Sequence, residues 1–327
     1  MLRKKRLKRS AVITVVIAAL CIAAAVAILI TNFFIPVKYL TAYCVKQDKN
    51  ARGVMRVSFI DVGYGDCTLI EFPDGKNLLI DGGDGTYSNN LKVLSALNSR
   101  GVDELDFIIC SSVSKVRCGG LAEVVKYKSA GKVYAPRNSA TYLNDAFRNF
   151  AVSVENAGIP TQLCEYGAGV FNDEFGYNFC VLYPSVYIPD LEESEEDILR
   201  GLGNGSVIWV EYGGKGFLFT GDLTAEAQLK LFERSTFEVK GRTIDVANCS
   251  VLKIPNRGAE VSAADIYKKI NPEYAVLSVG KNGTGCPSVS ALALAQGSVG
   301  KNLYRTDADG TVVITVRDSV LSVKKEK

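Results

Sequence analysis

Behind its first ten residues the chain runs through 20 positions, Ala11 to Ile30, that are apolar except for Thr14. At about 1.5 Å per helical residue such a run matches a hydrocarbon layer of roughly 30 Å, which predicts a membrane anchor over 11–34. Beyond it the apolar positions fall into short segments with changing period. Met55–Asp61 alternates apolar and polar, the signature of a strand. Cys67–Phe72 and Asn77–Ile80 read as further strands joined by a turn at Pro73-Asp74-Gly75. Asn90–Ser99 reads as a helix, Leu105–Cys110 as a strand, and Gly119-Gly120 opens a further helix. Val133–Ala135 and Tyr142–Ala157 follow as strand and helix. Residues 166–205 show no period, and the acidic stretch Glu192–Asp197 reads as a solvated loop. Ser206–Tyr212 and Phe217–Phe219 form a second hairpin about Gly213-Gly214, and Thr224 caps a helix through Phe232. Val251–Ile254, Tyr274–Val279, Leu303–Arg305, Thr311–Val316 and Ser319–Val323 are predicted strands, with helices at Ala263–Ile270 and Ser288–Gln296. Hairpins and strand–helix units in both halves predict two sheets packed face to face with helices outside, a four-layer αββα sandwich of the α/β class preceded by one transmembrane helix.

The resulting division is a basic tail (1–10), the anchor (11–34), a linker (35–54), one domain (55–323) and a short tail (324–327). Charge sharpens the picture. Six basic residues lie within 3–9, so the N-terminus is expected in the cytoplasm and the domain outside the cell, a single-pass arrangement in the cell membrane. A cleaved signal peptide is the alternative, with an apolar region of about 7–15 residues that this run exceeds. A lipoprotein site at Ala18-Ala19-Leu20-Cys21 has a leucine where it fits poorly. After the anchor, 32 basic residues face 35 acidic ones, a net charge of −3. That balance lacks the basic footprint of a nucleic-acid binder, so no nucleic-acid partner is expected. Composition is otherwise ordinary, 47% hydrophobic and 22% charged. Of nine cysteines, Cys67, Cys110, Cys180 and Cys249 sit in apolar strand-like runs and read as buried free thiols.

Five segments then carry a resemblance. Asp61-Val62-Gly63-Tyr64-Gly65-Asp66, Leu79-Ile80-Asp81-Gly82-Gly83, Phe217-Leu218-Phe219-Thr220-Gly221-Asp222, Ala275-Val276-Leu277-Ser278-Val279-Gly280-Lys281-Asn282 and Tyr304-Arg305-Thr306-Asp307-Ala308-Asp309-Gly310 occur in that order. Together they resemble the metallo-β-lactamase-fold domain of the ComEC type, a competence (DNA-uptake) family, over roughly Met55 to Val323. The resemblance implies the metallo-β-lactamase fold and, in active relatives, two metal ions.

The metal motifs depart from that pattern, and the chain has no histidine. Where the family has HxHxDH, this chain has Ser112, Ser114, Val116 and Arg117. Asn256-Arg257 stands for the HH pair of a later motif, and Cys286 for a third histidine position. Asp222 matches the metal-bridging aspartate and Asp81 a supporting one, while Asp61 and Asp66 are retained from the opening motif. Two-metal hydrolysis needs ions roughly 3.5–4 Å apart held by several ligands. Serine hydroxyls serve zinc poorly, and Arg117 brings a fixed positive charge. The expectation is therefore no cofactor and a pseudoenzyme of the metallo-hydrolase fold, its old site collapsed by Arg117 and Arg257 pairing with Asp222 and Asp81. The cleft would then bind a small anionic ligand or a partner protein. One alternative is a metal-dependent hydrolase or phosphodiesterase with a rebuilt site, holding zinc or manganese through Cys286, Asp222, Asp81, Asp66 and Cys118. Another is a serine hydrolase using Ser112-Val113-Ser114-Lys115, a Ser-x-x-Lys pattern that should open a helix.

Overall fold

In a computed structural model of the chain, residues 9–34, 39–136, 145–184, 205–259 and 264–327 are described. One sheet is built from β1 (Met55–Phe59), β2 (Thr68–Glu71), β3 (Asn77–Ile80), β4 (Glu104–Ile109), β5 (Ser129–Ala135) and β6 (Thr161–Leu163), completed by the C-terminal β16 (Val312–Arg317) and β17 (Val320–Lys325). Its order is β17-β16-β1-β2-β3-β4-β5-β6. The second sheet takes β7 (Gly169–Asn172), β8 (Tyr177–Tyr183), β9 (Val207–Tyr212), β10 (Lys215–Phe219), β13 (Cys249–Lys253), β14 (Tyr274–Leu277) and β15 (Leu303–Arg305), ordered β15-β14-β13-β10-β9-β8-β7. A separate hairpin pairs β11 (Thr236–Val239) with β12 (Arg242–Asp245).

The period of two along the strands sorts the apolar side chains into layers. Val57, Phe59, Ile70 and Ile80 of the first sheet meet Phe179, Ile208, Phe217 and Val251 of the second in one buried cluster between the sheets. The intervening residues Leu69, Leu79 and Ile108 face the other way, against Val93, Val124 and Phe150. Those three belong to α3 (Tyr87–Ser99), α5 (Leu121–Tyr127) and α6 (Asp145–Asn156), which follow α1 (Arg9–Phe34) and α2 (Leu40–Tyr43) and flank the short α4 (Lys115–Cys118). On the far side, Trp209, Leu218 and Leu252 pack with Leu231, Ile270 and Ala295 of α7 (Ala225–Leu231), α8 (Ala264–Ile270) and α9 (Val289–Val299). Three apolar seams separate four layers, and the αββα sandwich expected from the pattern is the architecture found.

Several boundaries differ. Residues 166–205 are not irregular throughout: β7 and β8 lie there and form one edge of the second sheet. Val170 and Phe171 are only partly buried and Gly169 opens the strand, so β7 shows none of the alternation that marks a strand with one dry face. The acidic stretch Glu192–Asp197 lies outside the described residues, as do Arg3–Lys8 of the basic tail. The stretch assigned to a linker, 35–54, belongs to the domain from Tyr39 onward. Tyr39 and Ala42 are buried against Leu94 of α3, Asn98 donates to the Ala42 carbonyl at 2.7 Å, and Asp48 pairs with Arg56 and Arg100. The 324–327 tail is likewise engaged: β17 extends through Lys325, and Glu326 pairs with Arg100 at 2.8 Å. Neither segment has apolar periodicity, because each is held by a few tertiary contacts.

Helix α1 is apolar over Ala11–Leu29 and none of that span is buried against the rest of the chain. It is long and apolar enough to cross a membrane.

Candidate functional site

One rim of the sandwich gathers the strand ends of both sheets. Asp81 follows β3, Ser111 and Ser112 follow β4, Asp222 follows β10, and Asn256-Arg257 follow β13. Asp66 reaches the same rim from the turn before β2, because β2 runs antiparallel to β3. The carboxyl ends of parallel strands are where open sheets place their sites. Tight backbone passages make the convergence feasible. Gly120 lies so near Gly82 that a Cβ there would sit 2.0 Å from the Gly82 carbonyl oxygen. This contact brings the segment bearing α4 and Arg117 against the loop bearing Asp81, and the Gly82 amide donates to the Arg117 carbonyl at 2.7 Å. Asp81, Asn256 and Arg257 occupy left-handed backbone at φ 61°, 47° and 54°. For arginine this conformation is costly and persists only where surrounding contacts impose it.

Arg117 stands at the centre, 2% exposed. Its Nε donates to Asp222 Oδ2 at 2.7 Å and Nη2 to Asp222 Oδ1 at 2.8 Å, a bidentate fork. Nη1 donates to Asp81 Oδ2 at 2.9 Å and Ser111 Oγ at 3.2 Å. Nη2 also lies 2.8 Å from Asp66 Oδ2. Of the five guanidinium N–H donors, four hydrogen-bond Asp222, Asp81 and Ser111, and the Asp66 contact is an ion pair outside hydrogen-bond geometry. Arg257 Nη1 contacts Asp222 Oδ1 at 2.8 Å, and its guanidinium lies over the Tyr64 ring at 5.2 Å. Lys253 Nζ closes on Asp66 Oδ1. Three buried carboxylates thus meet three buried cations, a neutral cluster when all are ionised. The remaining cavity beside them is about 10 Å³, bounded by Asp66, Asp81, Arg117, Ser206 and Lys253 among others. That volume suits at most one water.

The electrostatics follow from this geometry. Burial opposes ionisation of Asp66, but Arg117, Lys253 and Arg257 together outweigh it and hold its carboxyl at about 2. Burial also opposes charge on Asp222, which Arg117 and Arg257 nonetheless hold below the usual carboxylate range. Asp81 goes the other way: burial raises it, despite Arg117 and the Ser111 hydroxyl and amide at 2.6 and 2.8 Å. Burial lowers the Lys253 ammonium, partly offset by Asp66. Arg117 is pushed up by Asp222, Asp66 and Asp81 against the cost of burial.

The pairing expected of Arg117 and Arg257 with Asp222 and Asp81 is present for Arg117, while Arg257 pairs with Asp222 and stands 3.7 Å from Asp66. Asp66 is a full member of the cluster. Asp61 is not: its Oδ1 accepts from the Gly63 amide at 3.0 Å and its Oδ2 meets Lys92 at 3.3 Å, so it shapes the turn. Ser112 accepts from the Ser114 amide at 3.1 Å, and Val116 contributes its carbonyl to the Asp66 amide. Asn256 accepts from Arg257 Nη2 at 3.0 Å. Cys286 is half-buried beside the Thr284 and Tyr64 hydroxyls at 3.2 and 3.6 Å. Cys118 donates to the Val113 carbonyl inside the outer helical seam, away from the carboxylates. Ser114 precedes α4 without a capping side-chain hydrogen bond and Lys115 is exposed on that helix, so in the Ser-x-x-Lys reading the lysine is not buried beside a serine it could activate. Among the described residues no group of three histidine, cysteine or acidic side chains is arranged to hold a metal ion. The donor set does not fit the metals that the resemblance implies, because a guanidinium sits where their shared carboxylates converge.

Lys253 and Ser111 stand outside the motif positions. A lysine ending the apolar run Val251–Ile254 is the one signal for Lys253, since parallel strands buried on both faces are otherwise continuously apolar.

No family model matches the chain. ComE operon protein 3 of Bacillus subtilis (strain 168) is 25% identical over 281 residues, covering 81% of this chain and 33% of that protein. The chain thus spans about a third of the length of this curated relative. Among solved structures, a diphosphatase of the PhnP family aligns over 80% of this chain and 98% of its own at 12% identity and a TM-score of 0.44. A metallo hydrolase from the archaeon Ignicoccus hospitalis KIN4/I aligns over the same shares at 14% identity and a TM-score of 0.43. Five motifs in order, two sheets packed between helical layers and the match to ComE operon protein 3 together give this chain a ComEC-like domain with the metallo-β-lactamase fold.

Proposed function

We propose that this protein is a membrane-anchored, non-catalytic relative of the ComEC-type hydrolase domains, serving as an extracytoplasmic binding or scaffolding module. The observation that carries the reading is the Arg117 guanidinium, buried and ion-paired with Asp66, Asp81 and Asp222 at once, with four hydrogen bonds to Asp222, Asp81 and Ser111. An ion placed there would have to displace a buried cation whose loss leaves one of the three carboxylates unbalanced. Burial of Arg117 among three carboxylates argues against its capture of a small anion, so the binding role falls to the surface and to a protein partner. The six basic residues ahead of the apolar helix support a cytoplasmic N-terminus and an external domain.

The test is elemental analysis of the full chain, purified in detergent without chelator or histidine tag, before and after incubation with zinc, manganese and iron salts. Metal near zero per chain in both cases, with no hydrolysis of a phosphodiester substrate, is expected. One or two tightly held ions per chain would overturn the reading.

A further inference from the structure

The tether between anchor and domain is short. Phe34 ends α1 and Tyr39 is already buried in the domain, five residues on. Even fully extended, five residues reach at most ~18 Å. The surface around Tyr39 therefore lies close to the bilayer that α1 would span, whichever side the domain occupies.

That surface has a distinctive make-up. Leu40 is 48% exposed and Tyr87 51% exposed, each carrying apolar area to the outside. The Tyr39 ring lies 5.7 Å from Tyr87 and 5.4 Å from Tyr127, and the exposed Lys126 places its Nζ 5.1 Å over Tyr127. Tyr43 closes the group from α2. Exposed Leu40 and Tyr87 beside the long stem of Lys126, with Tyr39, Tyr43 and Tyr127 packed beneath them, form the composition that settles at the headgroup level of a bilayer. The other large exposed apolar residues of the domain, such as Phe175, Val289 and Val320, sit singly on separate elements.

We propose that the face formed by Leu40, Tyr87 and Lys126, backed by Tyr43 and Tyr127, rests on the headgroup region of the membrane that α1 crosses, fixing the domain's orientation to it. This rests on the reading of α1 as an anchor, and the occupant is the lipid surface itself. The docked domain would hold the opposite faces of the sandwich toward solvent and any partner.

The experiment uses the full chain in phosphatidylcholine liposomes, with Cys21, Cys44 and Cys286 changed to serine so that the remaining thiols are buried ones. Leu40→Cys and, separately, Val320→Cys are labelled with an environment-sensitive fluorophore, and a shallow lipid-borne nitroxide serves as quencher. The label at position 40 is expected to shift to the blue and be strongly quenched, while the label at 320 stays unquenched. Adding Tyr87→Asp to the position-40 chain should remove most of that quenching. The substitution falls at the first residue of α3, where an acid suits the helix N-terminus. Equal quenching at 40 and 320, or none at 40, overturns the proposal. A blue shift at 40 that grows with protein density without lipid quenching overturns it in favour of a second copy. Resistance to carbonate extraction is read in parallel: a chain released by carbonate refutes the anchor itself, whereas a retained chain with an unquenched position 40 refutes only the docking face.

Discussion

Replacing Arg117 with methionine tests the central cluster most directly. Methionine keeps much of the stem volume and removes the charge. Asp66, Asp81 and Asp222, 1%, 1% and 7% exposed, would then share only Lys253 and Arg257, leaving one carboxylate unbalanced in a dry site. Breaking a buried ion pair by deleting one partner costs about 3–5 kcal/mol. The strain has an outlet, because Asp81 is already raised by burial and would take up a proton first. In the variant the folded state would bind that proton more tightly than the unfolded chain. The deficit should therefore be small in mild acid and grow as pH rises through the raised value, at up to about 1.4 kcal/mol per pH unit for one proton. Urea unfolding of the full chain in detergent reads this out through Trp209, the sole tryptophan, buried on β9. A variant within about 1 kcal/mol of the parent at neutral pH, the range of an ordinary surface substitution, would refute the reasoning. So would a deficit identical at both pH values. Arg117→Lys should recover only part of the loss, since one ammonium cannot reproduce the fork on Asp222 and the bonds to Asp81 together.

Divalent manganese is expected to stabilise Arg117→Ala and leave the parent unmoved, by about 2.7 kcal/mol at a hundredfold excess over its dissociation constant; equal shifts in both melting curves would count against it. A chain starting at residue 44 loses the buried Tyr39 and Ala42 and should be less stable than one starting at 39 by about 1.5–3 kcal/mol for the tyrosine alone, checked by paired urea titrations. Gly216→Ala would set a Cβ 2.0 Å from the Trp209 ring, costing about 1–3 kcal/mol and shifting its emission; an unchanged spectrum would contradict the packing. Ionised Asp66 is favoured by folding, so its contribution is present above the ordinary carboxylate range and lost as pH falls through about 2; in an acid titration of native fluorescence, Asp66→Asn should lack that component.

The apolar pattern by itself determined the apolar helix long enough to cross a membrane, most strands and the layered class, because a period of two or a 20-residue run of apolar positions is legible locally. The resemblance to the ComEC-type domain, not that pattern, implied Arg117, Arg257, Asp81 and Asp222 as neighbours. Elements held by few tertiary contacts escaped the apolar pattern: β7 at a half-exposed edge and the docked stretch from Tyr39. Tertiary structure alone decided that Asp66 joins the cluster while Asp61 does not, although they sit five residues apart around one turn. It alone brought in Lys253 from a strand of the opposite sheet to balance the third carboxylate. Charge neutrality in a dry site is a property of side chains from both sheets at once. No local pattern records it, because the cost of burying a charge depends on which residues from elsewhere in the chain arrive beside it.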